Sequence, residues 1–168
     1  GISFNMYEAG RIDIAGISGS DIERARDPDN KFSEQLRILP LLSVHYVGFS
    51  MQKPPFNDPL VRRAFAMAVD RERLISVVYK NVVQEAKGIL PPGMPGYNPG
   101  LQALTYDPDG ALHLIEQSSY GSVDALPEIV LTSAGLGGLA ADTAFILDGW
   151  AKDLGVTISV RQLDPAMT

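Results

Sequence analysis

A chain of 168 residues with 45% apolar side chains can bury a real core as one ordinary domain. Its net charge of −6, with 14 scattered basic residues and no basic run of five, offers no general attraction to nucleic acid or anionic membranes. The absence of cysteine excludes disulfides and thiol chemistry, and no apolar run reaches the roughly 18 residues of a membrane helix.

In chain order, residues 1–10 read as the last turns of a helix. Ile2, Met6 and Tyr7 form its stripe, and Gly10 suits the position after its end. Arg11–Ser18 reads as a strand. Ser18 or Ser20 can cap a short helix through Asp21, Ile22, Ala25 and Arg26, and Asp27-Pro28-Asp29-Asn30 is turn chemistry. Two strands with a kink at Pro40 are expected over Leu36–Leu39 and Leu41–Phe49, with Gly48 a weak point. Pro54-Pro55 predicts an extended crossing.

Asn57-Asp58-Pro59 is a strong helix start, with an acceptor at the N-cap and Pro where no N–H is needed. Leu60, Val61, Ala64, Phe65, Ala68 and Val69 recur at helical spacing, and Asp70 is placed to cap a second helix from Arg71 to about Tyr79. Residues 91–100 form a loop dense in Pro and Gly. Asp107-Pro108 repeats the cap logic for a helix through Ala111, Leu112, Leu114 and Ile115. Pro127–Thr132 is a buried-type strand, residues 133–138 a Gly-rich loop, Leu139–Leu154 a helix ended by Gly155, and Val156–Leu163 an alternating strand. This β-loop-α-β order predicts two parallel strands joined by a right-handed crossover.

The chemistry-bearing residues assemble no active site. The histidines, His45 and His113, have no partners at metal spacing, and both read as structural or surface residues. Of the carboxylates Asp13, Asp58, Asp70, Asp107 and Asp148, three already serve as caps. Asp148 is expected to pair with Lys152 on the surface. The loop at 133–138 lacks both the P-loop ending and the G-x-G-x-x-G spacing. It reads either as a plain turn between strand and helix or as a cleft-facing loop that meets a ligand. Tyr46 either contacts ligand through its face and hydroxyl or packs in a sheet with the hydroxyl at the rim.

The run Gln52-Lys53-Pro54-Pro55-Phe56-Asn57-Asp58, with Val61-Arg62, Ala64 and Ala68-Val69-Asp70-Arg71, resembles the signature of the family 5 extracellular solute-binding proteins. These are oligopeptide and dipeptide receptors of ABC importers. The Pro-Pro loop at 91–92 and the Tyr106-Asp107-Pro108 helix are similar to that family too, although Ser119 stands where the family has a helix-ending Gly. The resemblance implies an α/β chain, part of a two-lobed type II periplasmic-binding-protein fold with a mixed sheet and packed helices. Residues 1–46 would be the C-terminal portion of the first lobe up to the hinge, and 47–168 the first half of the peptide-binding last lobe.

The implied function is capture of an oligopeptide or similar solute by hinged closure, without covalent chemistry, metal or cofactor. Tyr46, Ser133, Ala134, Gly135 and Leu136 are the expected substrate-binding residues. Implied partners are a peptide or other small solute and the permease subunits of an ABC transporter, with no nucleic acid. The implied location is periplasmic or extracellular, peripheral to the membrane. A solute-sensing domain of a transcription regulator, or an unrelated hydrolase fragment, are the alternative readings. Gly1-Ile2-Ser3 has neither the charged start nor the apolar segment of a secretory signal, and the opening resembles the middle of a domain. The expectation is a piece of a longer receptor that binds peptide weakly or not at all by itself and exposes faces that favour self-association.

Overall fold

The structure, a computed structural model, describes residues 1–39, 41–134 and 139–163. Its helices are α1 (Ile2–Glu8), α2 (Ile22–Arg26), α3 (Pro59–Met67), α4 (Arg71–Val77), α5 (Pro108–Gln117) and α6 (Ala141–Leu154). The strands β1 (Ile129–Ala134) and β2 (Ile158–Leu163) pair in parallel, with Ile129 opposite Ile158 and Ala134 opposite Leu163. The fold is α/β.

The helix starts follow the sequence chemistry closely. Asp58 accepts from Leu60 N–H at 2.8 Å, Asp70 from Arg73 N–H at 2.9 Å and Asp107 from Gly110 N–H at 2.9 Å. Pro59 and Pro108 sit in the first turns of α3 and α5, where their missing N–H costs nothing. Gly155 ends α6 with φ of 71°. At the end of α1, Gly10 N–H reaches Tyr7 C=O and Arg11 N–H reaches Met6 C=O, the paired bonds of a Schellman ending.

The core lies where α3, α5 and α6 pack on β1. Val61, Ala64, Phe65, Ala68, Ala111, Ile115, Ile129, Trp150, Leu154 and Val156 are buried there. The small residues Ala64, Ala68 and Ala111 let the helix backbones approach, while Phe65 and Ile115 fill the volume between them. The end of α3 shows how its terminal carbonyls are satisfied. Phe65 C=O accepts from the buried Trp150 indole at 2.8 Å, Ala66 C=O from Arg71 at 3.1 Å, and Met67 C=O from Asp107 N–H at 3.0 Å. Arg71 also donates to Leu104 C=O at 2.8 Å, and Arg62 holds Phe56 C=O at 2.6 Å. Phe49 stacks on Phe56 at 4.6 Å and lies 6.5 Å from Trp150, so the segment before α3 is anchored in the core.

Several expectations are corrected. Residues 11–18, 36–39 and 41–49 are irregular, because no neighbouring segment among the described residues offers them a ladder and a strand needs a partner. Pro40, the expected kink, lies outside the described residues. Residues 50–58 fold into successive turns rather than an extended crossing, closed by Lys53 N–H to Ser50 C=O and Asn57 N–H to Lys53 C=O. In α1 the buried residue is Phe4, under Arg24 at 4.5 Å, whereas Ile2 is exposed. The N-cap of α2 is Asp21, and Ser18 bonds its carboxylate at 2.5 Å instead of capping the backbone. Lys152 pairs with Asp153 at 3.6 Å instead of Asp148.

Candidate functional site

β1 ends at Ala134, and α6 starts after its N-cap, Ala140. Ser133 is half-buried at the carboxyl end of β1, opposite Gln162. Gly135 and Leu136 lie outside the described residues. Loops at the carboxyl ends of parallel strands are where α/β proteins place ligands, and this one opens directly into the first turn of a helix of 14 residues.

Tyr46 is 74% exposed, so it does not pack in a sheet. Its neighbour His45 ties that segment to Tyr79 and Asp142. Tyr79, just beyond α4, donates its hydroxyl to Asp142 Oδ2 at 2.6 Å and lies 3.2 Å from His45 Nδ1. Asp142 stands in the first turn of α6, and its Oδ1 accepts Thr143 N–H at 2.7 Å. His45, the tail of α4 and the mouth of α6 therefore meet at one point.

The electrostatics of this meeting point are settled by its hydrogen bonds. The Tyr79 hydroxyl beside it, despite the opposing cost of desolvation, holds the Asp142 carboxyl below the usual carboxylate range. Desolvation, and then the bond to Asp142, push the Tyr79 phenol up to about 12. An ionised carboxylate at the first turn also offsets the partial positive charge of the α6 N-terminus. Three residues of this cluster were not singled out as a group by sequence. Tyr79 and Asp142 carry no local signal beyond a helix end and a first-turn acid, and His45 reads alone as a structural residue. Its partners are 34 and 97 residues away in the chain.

A second concavity, about 210 Å³ in volume, lies between α4 and α6 and is lined by Asp70, Arg73, Tyr106, Asp148, Lys152 and Asp153 among others. Its polar groups are largely engaged with each other: Tyr106 donates to Asp153 at 2.7 Å, and this bond is the main cause that pushes the phenol up to about 12. It is smaller than the clefts that enclose drug-sized ligands. His113 is exposed on α5, with Glu116 at 3.3 Å and Gln117 donating at 2.8 Å, in keeping with a surface role. Among the described residues no group of three or more metal-ligating side chains converges, and no helix is long and apolar enough to cross a membrane.

Residues 3–168 match the bacterial extracellular solute-binding proteins, family 5 middle. The probable deoxycholate-binding periplasmic protein YgiS of Escherichia coli is 29% identical over 96% of this chain and 30% of its own length. The dipeptide-binding protein of Escherichia coli is 38% identical over 51% of this chain and 16% of its own length. Among solved structures, OppA of Burkholderia pseudomallei superposes with a TM-score of 0.72 at 27% identity, covering 99% of this chain and 33% of that one. The murein tripeptide binding protein MppA of Escherichia coli gives a TM-score of 0.73 at 20% identity, a likeness of fold alone. These neighbours have the type II periplasmic-binding-protein fold, of which the present chain spans about a third of the length. The relatives are solute-binding proteins rather than enzymes. From the caps and packing of residues 52–71 through to the parallel β-α-β unit, this chain belongs to the family 5 bacterial extracellular solute-binding proteins.

Proposed function

We propose that the protein carrying this chain is the binding receptor of a bacterial ABC importer for oligopeptides or a similar solute. Residues 1–46 belong to the first lobe and 47–168 to the last. Hinged closure of the two lobes traps the ligand, and the permease subunits recognise the closed form. The receptor works in the periplasm or outside the cell, peripheral to the membrane. Tyr46 and the loop Ser133–Leu136 face the ligand from the two sides of the lobe boundary.

The observation that carries this reading is the family match over residues 3–168. Peptide as the solute class is supported by the dipeptide-binding protein among the relatives. The placement of Tyr46 is supported by its 74% exposure, which leaves an aromatic face and a hydroxyl free for a ligand. Calorimetry on the full-length protein with a set of di- to pentapeptides tests the reading. Binding is expected, with Tyr46→Ala weakening it about tenfold, the scale of one lost aromatic contact. In the 168-residue chain by itself the variant should keep the unfolding temperature, since Tyr46 is exposed there. A full-length protein that ignores every peptide, or a Tyr46→Ala variant with unchanged affinity, defeats the corresponding part of the proposal.

A further inference from the structure

Three parts of the chain meet on the turn Tyr79–Asn81. Lys80 and Asn81 both have positive φ, 51° and 57°. Asn tolerates this left-handed conformation, but Lys adopts it rarely, so the surroundings must hold it. On one side the hold comes from α2: Arg26 donates to Lys80 C=O at 2.8 Å and to Asn81 C=O at 3.4 Å, and Glu23 lies 3.3 Å from the Lys80 ammonium. On the other side it comes from Tyr79, which bonds Asp142 on α6 and His45.

The protons in this second group can be assigned. A phenol has one proton, and an ionised carboxylate only accepts. Tyr79 therefore donates to Asp142, and its oxygen accepts from His45 Nδ1–H. Asp142 Oδ2 lies 3.7 Å from the same His45 nitrogen.

We propose that Tyr79–Asn81 is a clasp that couples α2 and the segment carrying His45 to the mouth of α6. On the lobe boundary argued above, Arg26 and His45 stand on one side and Tyr79 and Asp142 on the other, so the clasp bridges the hinge; that assignment alone rests on the receptor reading. The coupling itself needs no ligand.

Hydrogen–deuterium exchange of the full-length protein, without ligand, tests this. Arg26 is exposed, so Arg26→Ala leaves the core of these 168 residues intact. Arg26→Ala should speed exchange at the Asn81 amide by about tenfold, the scale of one lost charge-assisted hydrogen bond, and should also speed it at the Ala144 amide in α6 by about threefold or more. Acceleration confined to α2 and the turn overturns the coupling. The result does not depend on whether the protein binds peptide.

Discussion

At Asp58 one carboxylate serves two helices. Oδ1 caps α3 through Leu60 N–H, and Oδ2 accepts both the N–H and the hydroxyl of Ser119, each at 2.8 Å, just past the end of α5. Ser119, the departure from the family's Gly, thus gains a partner that Gly could supply only through its backbone. The bond from Ser119 N–H holds the Asp58 carboxyl below its ordinary range, despite the opposing cost of desolvation. Asp58→Ala removes the cap and leaves two donors without their acceptor, so a loss of about 2 kcal/mol is expected. Urea unfolding should show a lower midpoint with an unchanged slope. A depressed carboxyl stabilises the fold above its unfolded value of about 4 and loses that contribution as pH falls through the lower folded value. Asp58→Ala should therefore cost most near neutrality and least in acid.

At the scale of the element, α6 shows a helix whose ending is set by one backbone angle. Gly155 has φ of 71°, and a Cβ built there would meet nothing within 4 Å. Gly155→Ala therefore has no steric cost from packing, only the left-handed backbone penalty of about 1 kcal/mol. Gly19, with equally open space and no positive φ, is the matched control, and Gly19→Ala should be neutral or slightly stabilising. Chemical denaturation of the two variants reads the difference. The other end of the same helix behaves differently. Its N-cap, Ala140, makes no side-chain cap bond, and the acid in its first turn, Asp142, is turned to Tyr79 and to its own neighbour Thr143. The C-terminal signal was legible because Gly at that position has one main use; the role of Asp142 was not, because its partner arrives from another element.

At the scale of the molecule, apolar surface is left open along one stretch. Leu39, Leu41, Leu42 and Met51 are 64–79% exposed, and among the described residues the sheet has only two strands. Two-stranded sheets leave both edges able to pair, and contiguous exposed apolar side chains favour association. The 168-residue chain by itself should therefore form concentration-dependent assemblies. Sedimentation velocity across a hundredfold range of concentration checks this, and a single monomeric species throughout would refute it.

The caps at Asp58, Asp70 and Asp107, the helical spacing of Val61, Ala64 and Phe65, the Gly155 ending and the parallel β-α-β unit are determined by the sequence alone. So is the family, whose motif at 52–71 consists largely of these same caps and packing residues. They are legible because capping and periodicity act over one to four residues, and those neighbours are adjacent in the chain. Tertiary structure decided the rest. Residues 11–18, 36–39 and 41–49 carry strand-forming side chains yet remain irregular, since a ladder depends on what lies beside it. Arg71 joins α3 to Leu104, and His45 meets Tyr79 and Asp142, across separations no periodicity encodes. The left-handed turn at Lys80–Asn81 follows for the same reason: its conformation is held by Arg26, Glu23 and the α6 mouth, groups that come near it only once the chain has folded.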